Sequence, residues 1–245
     1  MSNSFSITVA GLSFKIIPCN DNLSEKFKNY ITKEDANIVI SMNEKDIEVE
    51  KEIYISGLKE GENQYDFSSA YYESLAIYRK ITDIAADYDI ILFHGSAFAF
   101  DGEGVIITAP GGTGKSTHSR IWREVYGDRV RMINDDKPWI RLIGGRFFVC
   151  GTPFNGKHNL GENIMVPLKK ICIIGRSETN RAEISENPLP QLIKQTYRPK
   201  DAAKMQKVLK NICLLQKETE IFDIYCNMEN DAATTVCGVI FPGKE

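Results

Sequence analysis

The chain has 245 residues, enough for one large domain or two small ones with a full core. With 42% hydrophobic and 26% charged residues it has a globular composition, and its net charge of −3 excludes the basic footprint of general nucleic-acid binding. No apolar run nears the ~20 residues that span a bilayer, and Met1–Ser6 has neither the basic region nor the apolar core of a signal peptide, so a cytoplasmic protein with no membrane partner is expected. The six cysteines (Cys19, Cys150, Cys172, Cys213, Cys226 and Cys237) are scattered without a C-x-x-C pair. Most sit in apolar runs, as reduced core residues do, and no arrangement suggests zinc.

From the start of the chain, Phe5, Ile7 and Val9, then Leu12, Phe14 and Ile16, alternate about Ala10-Gly11, which predicts a β-hairpin over 4–17. A short helix is expected over 22–32 and a strand over 37–43. Residues 44–64 are charged and read as turns, with Asn43-Glu44-Lys45-Asp46 and Glu60-Gly61-Glu62-Asn63, around one strand near Ile53–Ile55. This stretch, 1–66, is taken as a β-rich extension, and 67–245 as the main domain.

Residues 68–88 predict a helix capped by Ser68 or Ser69, with Ile77, Ile81, Ile84 and Tyr88 along one face. Strands follow at 89–93, 97–100 and 105–107. Beyond the next helix, strands are expected at 130–133, 138–143, 146–150 and 169–174, then a helix over 201–215, a strand over 219–225 and a last helix from about Glu229. The pattern is α/β, a sheet flanked by helices, with no internal repeat.

Residues 104–118 carry the chemistry. Val105-Ile106-Ile107 reads as a buried strand, the loop Ala109–Gly114 follows, and Lys115-Ser116-Thr117 opens a helix. Strand, glycine-rich loop and helix beginning at Lys-Ser form the phosphate-binding loop. Gly111, Gly112 and Gly114 let successive N–H groups turn toward one anion, and the helix N-terminus adds positive potential there. Thr113 and Thr117 belong to the same cradle. Lys115 is suited to the β- and γ-phosphates, and the Ser116 hydroxyl to Mg²⁺. Ala109 stands where the pattern has glycine. A nucleoside triphosphate, read as ATP with Mg²⁺, is the expected cofactor.

Nineteen positions separate Ser116 from Asp135, room for the helix, one turn and one strand. Asn134-Asp135-Asp136 therefore ends a strand expected to neighbour the loop strand, with its acids at the carboxyl edge where ligands gather. One carboxylate there holds metal and the other takes a proton from an attacking hydroxyl. An exposed turn is the plain alternative, since Asn-Asp-Asp-Lys-Pro is also good turn chemistry. His94, at a strand end before Gly95, is a weaker signal. Lys157 and His158, in the loop Gly151–Asn159, are either substrate-phosphate contacts or solvated residues, and His118 reads as structural.

His94-Gly95-Ser96, Ala109–Thr117 and Asn134-Asp135-Asp136 together resemble the HPr kinase/phosphorylase family, whose phosphate-loop fold is shared with the ATP-dependent phosphoenolpyruvate carboxykinases. Gly151–Asn159 and Gln195-Thr196-Tyr197-Arg198-Pro199 resemble a bacterial subgroup of HPr-kinase-like proteins. The resemblance covers roughly 68–240. It implies that Asp136 is the catalytic base, Lys115 holds the transferred phosphoryl group, Ser116 and Asp135 hold the metal, and His94 lies beside the acceptor. It also implies a homo-oligomer. Two features depart from the family: Gly151–Asn159 has no acid where those kinases have a metal-binding glutamate, and residues 1–66 do not match their N-terminal domain. The expected activity is ATP-dependent phosphorylation of a hydroxyl on a small molecule, peptide or small protein. A nucleotide-binding regulatory module without catalysis is the alternative, and a carboxykinase a poorer third.

Overall fold

The computed structural model describes residues 4–58 and 65–244. The turn expected at Glu60–Asn63 lies outside them. The chain divides into two compact units, 1–84 and 85–245.

In the first unit, β1 (Phe5–Val9) and β2 (Leu12–Ile17) form the expected antiparallel hairpin, turned by Ala10 and Gly11 at φ 51° and 75°. A 3₁₀ segment at Leu23–Tyr30 leads to β3 (Ile38–Ser41), which pairs parallel to β2. Ile7, Phe14, Ile16 and Phe27 are fully buried between them. The segment read as turns and a strand is instead a helix, α1 (Glu44–Ser56). Its start is a capping box: Asn43 Oδ1 accepts from Asp46 N at 3.1 Å and Asp46 Oδ2 from Asn43 N at 3.0 Å. The charge that suggested a loop turns inward at Glu50, which is 4% exposed and takes the Arg79 guanidinium at 2.6–3.0 Å. Arg79 belongs to α2 (Ser69–Ala85), where the Ser68 hydroxyl accepts from Tyr71 N at 3.3 Å. Ile77 and Ile81 are buried as expected, but Tyr88 is 43% exposed, because the chain tightens into a 3₁₀ turn at Ala86 and leaves the helical face. Nearly all of α2 groups with the first unit, whereas the sequence boundary was drawn at 66/67.

The second unit is mixed α/β. In chain order it holds β4 (Ile90–Leu92), β5 (Ser96–Phe100), β6 (Glu103–Thr108), α3 (Lys115–Tyr126), β7 (Val130–Asn134), β8 (Trp139–Ile143), β9 (Arg146–Cys150), β10 (Met165–Arg176), β11 (Arg181–Ile184), α4 (Leu189–Lys194), α5 (Ala202–Glu218), β12 (Glu220–Cys226) and α6 (Asp231–Ile240). The sequence had no signal for β11 or α4, both of them short. The long strand β10 organises the sheet. Its first residues pair antiparallel with β9, continuing through β8 to β4. Its remainder pairs parallel with β6 on one side and with β12 on the other.

Alternation splits the core. Val105 and Ile107 pack with Trp122 of α3 and Val236 of α6, whereas Ile106 packs with Ile171 and with Val208 and Ile212 of α5. Cys150, Cys172, Cys226 and Cys237 are buried, as their apolar runs suggested, but Cys19 and Cys213 are exposed. No helix among the described residues is long and apolar enough to cross a membrane.

One expectation fails in a way that matters for the site. The strand ending in the acids, β7, does not neighbour β6, because β5 lies between them, antiparallel to both. Sequence distance from the loop cannot register β5, which precedes β6 in the chain. Two antiparallel steps make β6 and β7 run the same way, so the glycine loop and Asn134-Asp135-Asp136 still leave from one edge of the sheet.

Candidate functional site

The first half of the site is main chain. Ala109, where the pattern has glycine, is 2% exposed and belongs to the same buried cluster as Trp122. Gly112 and Gly114 hold φ of 76° and 122°, the left-handed region that lets the loop close onto the start of α3. The Thr113 hydroxyl donates back to Pro110 O at 2.8 Å. Lys115, 7% exposed, folds over the same loop and donates to Ala109 O at 2.9 Å and Pro110 O at 3.3 Å. Burial holds its ammonium below the usual lysine range, and the charge of Asp136 opposes that shift. From the end of β10, Arg176 reaches the loop, where its Nη2 donates to Gly112 O and its Nε to Thr113 O at 3.4 Å, and it lines the same cavity as the loop.

The second half is built from side chains. Asn134, fully buried, donates through Nδ2 to Thr152 Oγ1 and Asn155 Oδ1, each at 3.0 Å. Its Oδ1 accepts from the N–H groups of Asp136 at 2.9 Å and Lys137 at 2.5 Å. One amide thus ties the acidic turn to the Gly151–Asn159 loop. Asp135, 6% exposed, takes the Gly156 N–H on Oδ1 at 2.7 Å. A Cβ on Gly156 would lie 3.1 Å from Asp135 Oδ2, so a side chain there would press on the carboxylate. Asp136 Oδ1 lies 3.5 Å from His94 Nε2, and its Oδ2 lies 3.0 Å from Lys137 Nζ. The other ring nitrogen of His94 faces Gln195 Oε1 at 2.7 Å, and His94 N donates to Gln195 O at 2.7 Å.

A cavity of about 910 Å³ opens over the loop. Its wall includes Gly112 through Ser119, Asp135, and both Lys157 and His158. Thr113, Gly114, Lys115, Ser116 and Thr117 therefore share one space with Asp135. Among the described residues its wall does not include Gly111, His94 or Asp136, so the His94–Asp136 pair forms a second cluster. His118 is structural, as its place on the helix suggested: its Nε2 accepts from Trp122 Nε1 at 3.1 Å, and burial pushes it down to about 4.

Sequence reasoning assigned no role to Asn134, Gln195 or Arg176, nor to the cavity wall at Asn227, Met228 and Glu229. Arg176 carried the one usable signal, a cation closing a long apolar strand. The others depend on contacts made far along the chain.

No protein-family model matches the chain, and no curated protein matches it. Among solved structures, the chain is similar to the Hpr(Ser) kinase/phosphatase from Coxiella burnetii at 12% identity and a TM-score of 0.34. The match covers 60% of this chain and 95% of that one. A likeness at that score carries no functional argument.

Proposed function

We propose that the chain is an ATP- and Mg²⁺-dependent kinase of the cytoplasm that transfers the γ-phosphoryl group to a hydroxyl acceptor. What carries the reading is one juxtaposition: a glycine-rich loop at a helix N-terminus, with buried Lys115, opens into the same cavity as Ser116 and Asp135. The loop N–H groups and Lys115 bind the nucleotide phosphates. The Ser116 hydroxyl and the free Asp135 oxygen are hard donors that suit Mg²⁺, which takes few protein ligands and keeps phosphate and water oxygens. Held there, such an ion would supply positive charge against the phosphates.

In transfer, the acceptor oxygen bonds to the γ-phosphorus as the bond to the β–γ bridging oxygen breaks and ADP leaves. The hydroxyl proton would pass to Asp136, which lies 3.5 Å from His94 Nε2 in the cluster beside that cavity, so the acceptor would have to bridge the two. Lys157 and His158 are offered for the acceptor side of the cavity. HPr-kinase-like chemistry is the nearest description, with the acceptor left as a small molecule, peptide or small protein. The test is incubation with Mg-ATP and candidate acceptors: ADP should appear in step with phosphorylated acceptor, and absence of any nucleotide binding overturns the reading.

The Lys137 ammonium 3.0 Å from Asp136 favours a second reading, a nucleotide-binding regulatory module without transfer. Tight ATP binding with no turnover across acceptors would select it.

A further inference from the structure

The strand order gives a direction to any nucleotide held by the glycine loop. β6, which carries the loop, has β5 and then β7 on one side and β10 and then β12 on the other. Asp135 and the loop bearing Lys157 and His158 belong to the β7 side, joined by the bond from Gly156 N to Asp135 Oδ1. β6, β10 and β12 run parallel, and Arg176 closes β10 opposite Cys226 of β12. Ser177-Glu178 and Asn227-Met228-Glu229 therefore leave the same edge as the glycine loop, and both stretches line its cavity. From β7 to β12 is four strand spacings, roughly 19 Å along the sheet, more than three linked phosphates span. With the γ-phosphate toward Asp135, the nucleoside end points toward β12.

The chemistry of that side suits a nucleoside. Glu178 and Glu229 bring carboxylates to the wall, which repel phosphate and can accept from ribose hydroxyls. Asn227 shapes the turn after β12: its N–H donates to Asn180 Oδ1 at 2.8 Å, and its Oδ1 accepts from Glu229 N at 3.0 Å. Between those two residues Met228 is 75% exposed, the most exposed large apolar side chain among the described residues. A lone methionine on a surface is ordinary, but this one stands on the cavity wall, and a thioether packs well on an aromatic ring.

We infer that Glu178 and the turn Asn227–Glu229 form the nucleoside subsite, with the Met228 side chain against the base and the two carboxylates beside the ribose. The inference rests on the nucleotide-binding reading above and on the direction that reading gives the phosphates.

The test separates nucleoside from phosphate: calorimetric titration of Mg-ATP, ADP and tripolyphosphate into the wild-type chain, Met228→Ala and Met228→Leu. Wild type should bind ATP more tightly than tripolyphosphate. In Met228→Ala, ATP and ADP should each weaken about fivefold, the worth of a sulfur–aromatic contact, with tripolyphosphate unchanged. Met228→Leu, apolar and of similar volume, should lose less. In the wild-type chain labelled with ¹³C at the methionine methyls, nuclear Overhauser effects should join the Met228 methyl to protons of the bound base. That measurement decides the contact even if a variant fails to fold. Absence of those effects, equal loss for all three ligands, or no loss for any would overturn the inference. Tripolyphosphate bound as tightly as ATP by the wild type would overturn it too, while leaving the phosphate loop standing. A wild-type chain that binds none of the three overturns the functional reading itself, a result distinct from the others.

Discussion

The ends of β6 and β7 leave the same edge of the sheet and are built in opposite ways. At β6 the working groups are main-chain N–H donors set by glycine, and one buried lysine. At β7 they are carboxylates whose direction comes from the side chain of Asn134 and from partners at Thr152, Asn155 and Gly156. The first end is positive and shaped by local conformation; the second is negative and shaped by contacts across some twenty positions of sequence. The proposed phosphate site would join the two: donors that need only a turn, and acids that need a scaffold.

The sharpest way to break this contrast is at Asp136. Asp136→Asn keeps volume and hydrogen bonding but accepts no proton at neutral pH. Nucleotide affinity should persist, while transfer falls roughly 10²–10⁴-fold, the usual worth of a general base. Equal loss of binding and transfer would show that the β7 end is part of the phosphate cradle, and the contrast would fail.

Asn134→Ala tests the scaffold. It strips partners from two partly buried N–H groups and from Thr152 and Asn155, and should cost about 2 kcal/mol in chemical denaturation. Denaturation at the wild-type midpoint would mean that the acidic turn holds its shape without the amide.

The smallest effect is expected at Asp135→Asn. A neutral amide is a poorer ligand for a hard cation, so the Mg²⁺ titration of activity should move several-fold higher, with activity recovered at saturation. An unshifted titration would remove Asp135 from the metal site.

The same contrast explains what could be read from sequence. Gly112, Gly114, Lys115 and Ser116 fall within five positions, so the loop could be read locally, although Arg176 from the end of β10 also donates to two of its carbonyls. The hairpin at Ala10-Gly11 was legible for the same reason. Adjacency of β7 to β6 was misjudged because β5 enters between them from earlier in the chain. Helix α1 was misread because Asn43 and Asp46, good turn formers, are reciprocal caps here, and Glu50 is paid for by Arg79, 29 residues away. Gln195 stood in a motif shared with the HPr-kinase-like subgroup, but nothing in the sequence showed that it faces His94 from 101 positions off.

The central claim is that the glycine loop with Lys115 binds nucleotide phosphate. Its most direct test is titration of Mg-ATP into the wild-type chain and Lys115→Ala at neutral pH. The account predicts saturable binding to the wild type and affinity lower by roughly 10–100-fold in the variant, with both chains melting cooperatively. No binding to the wild type, or equal affinity in the two chains, would contradict it.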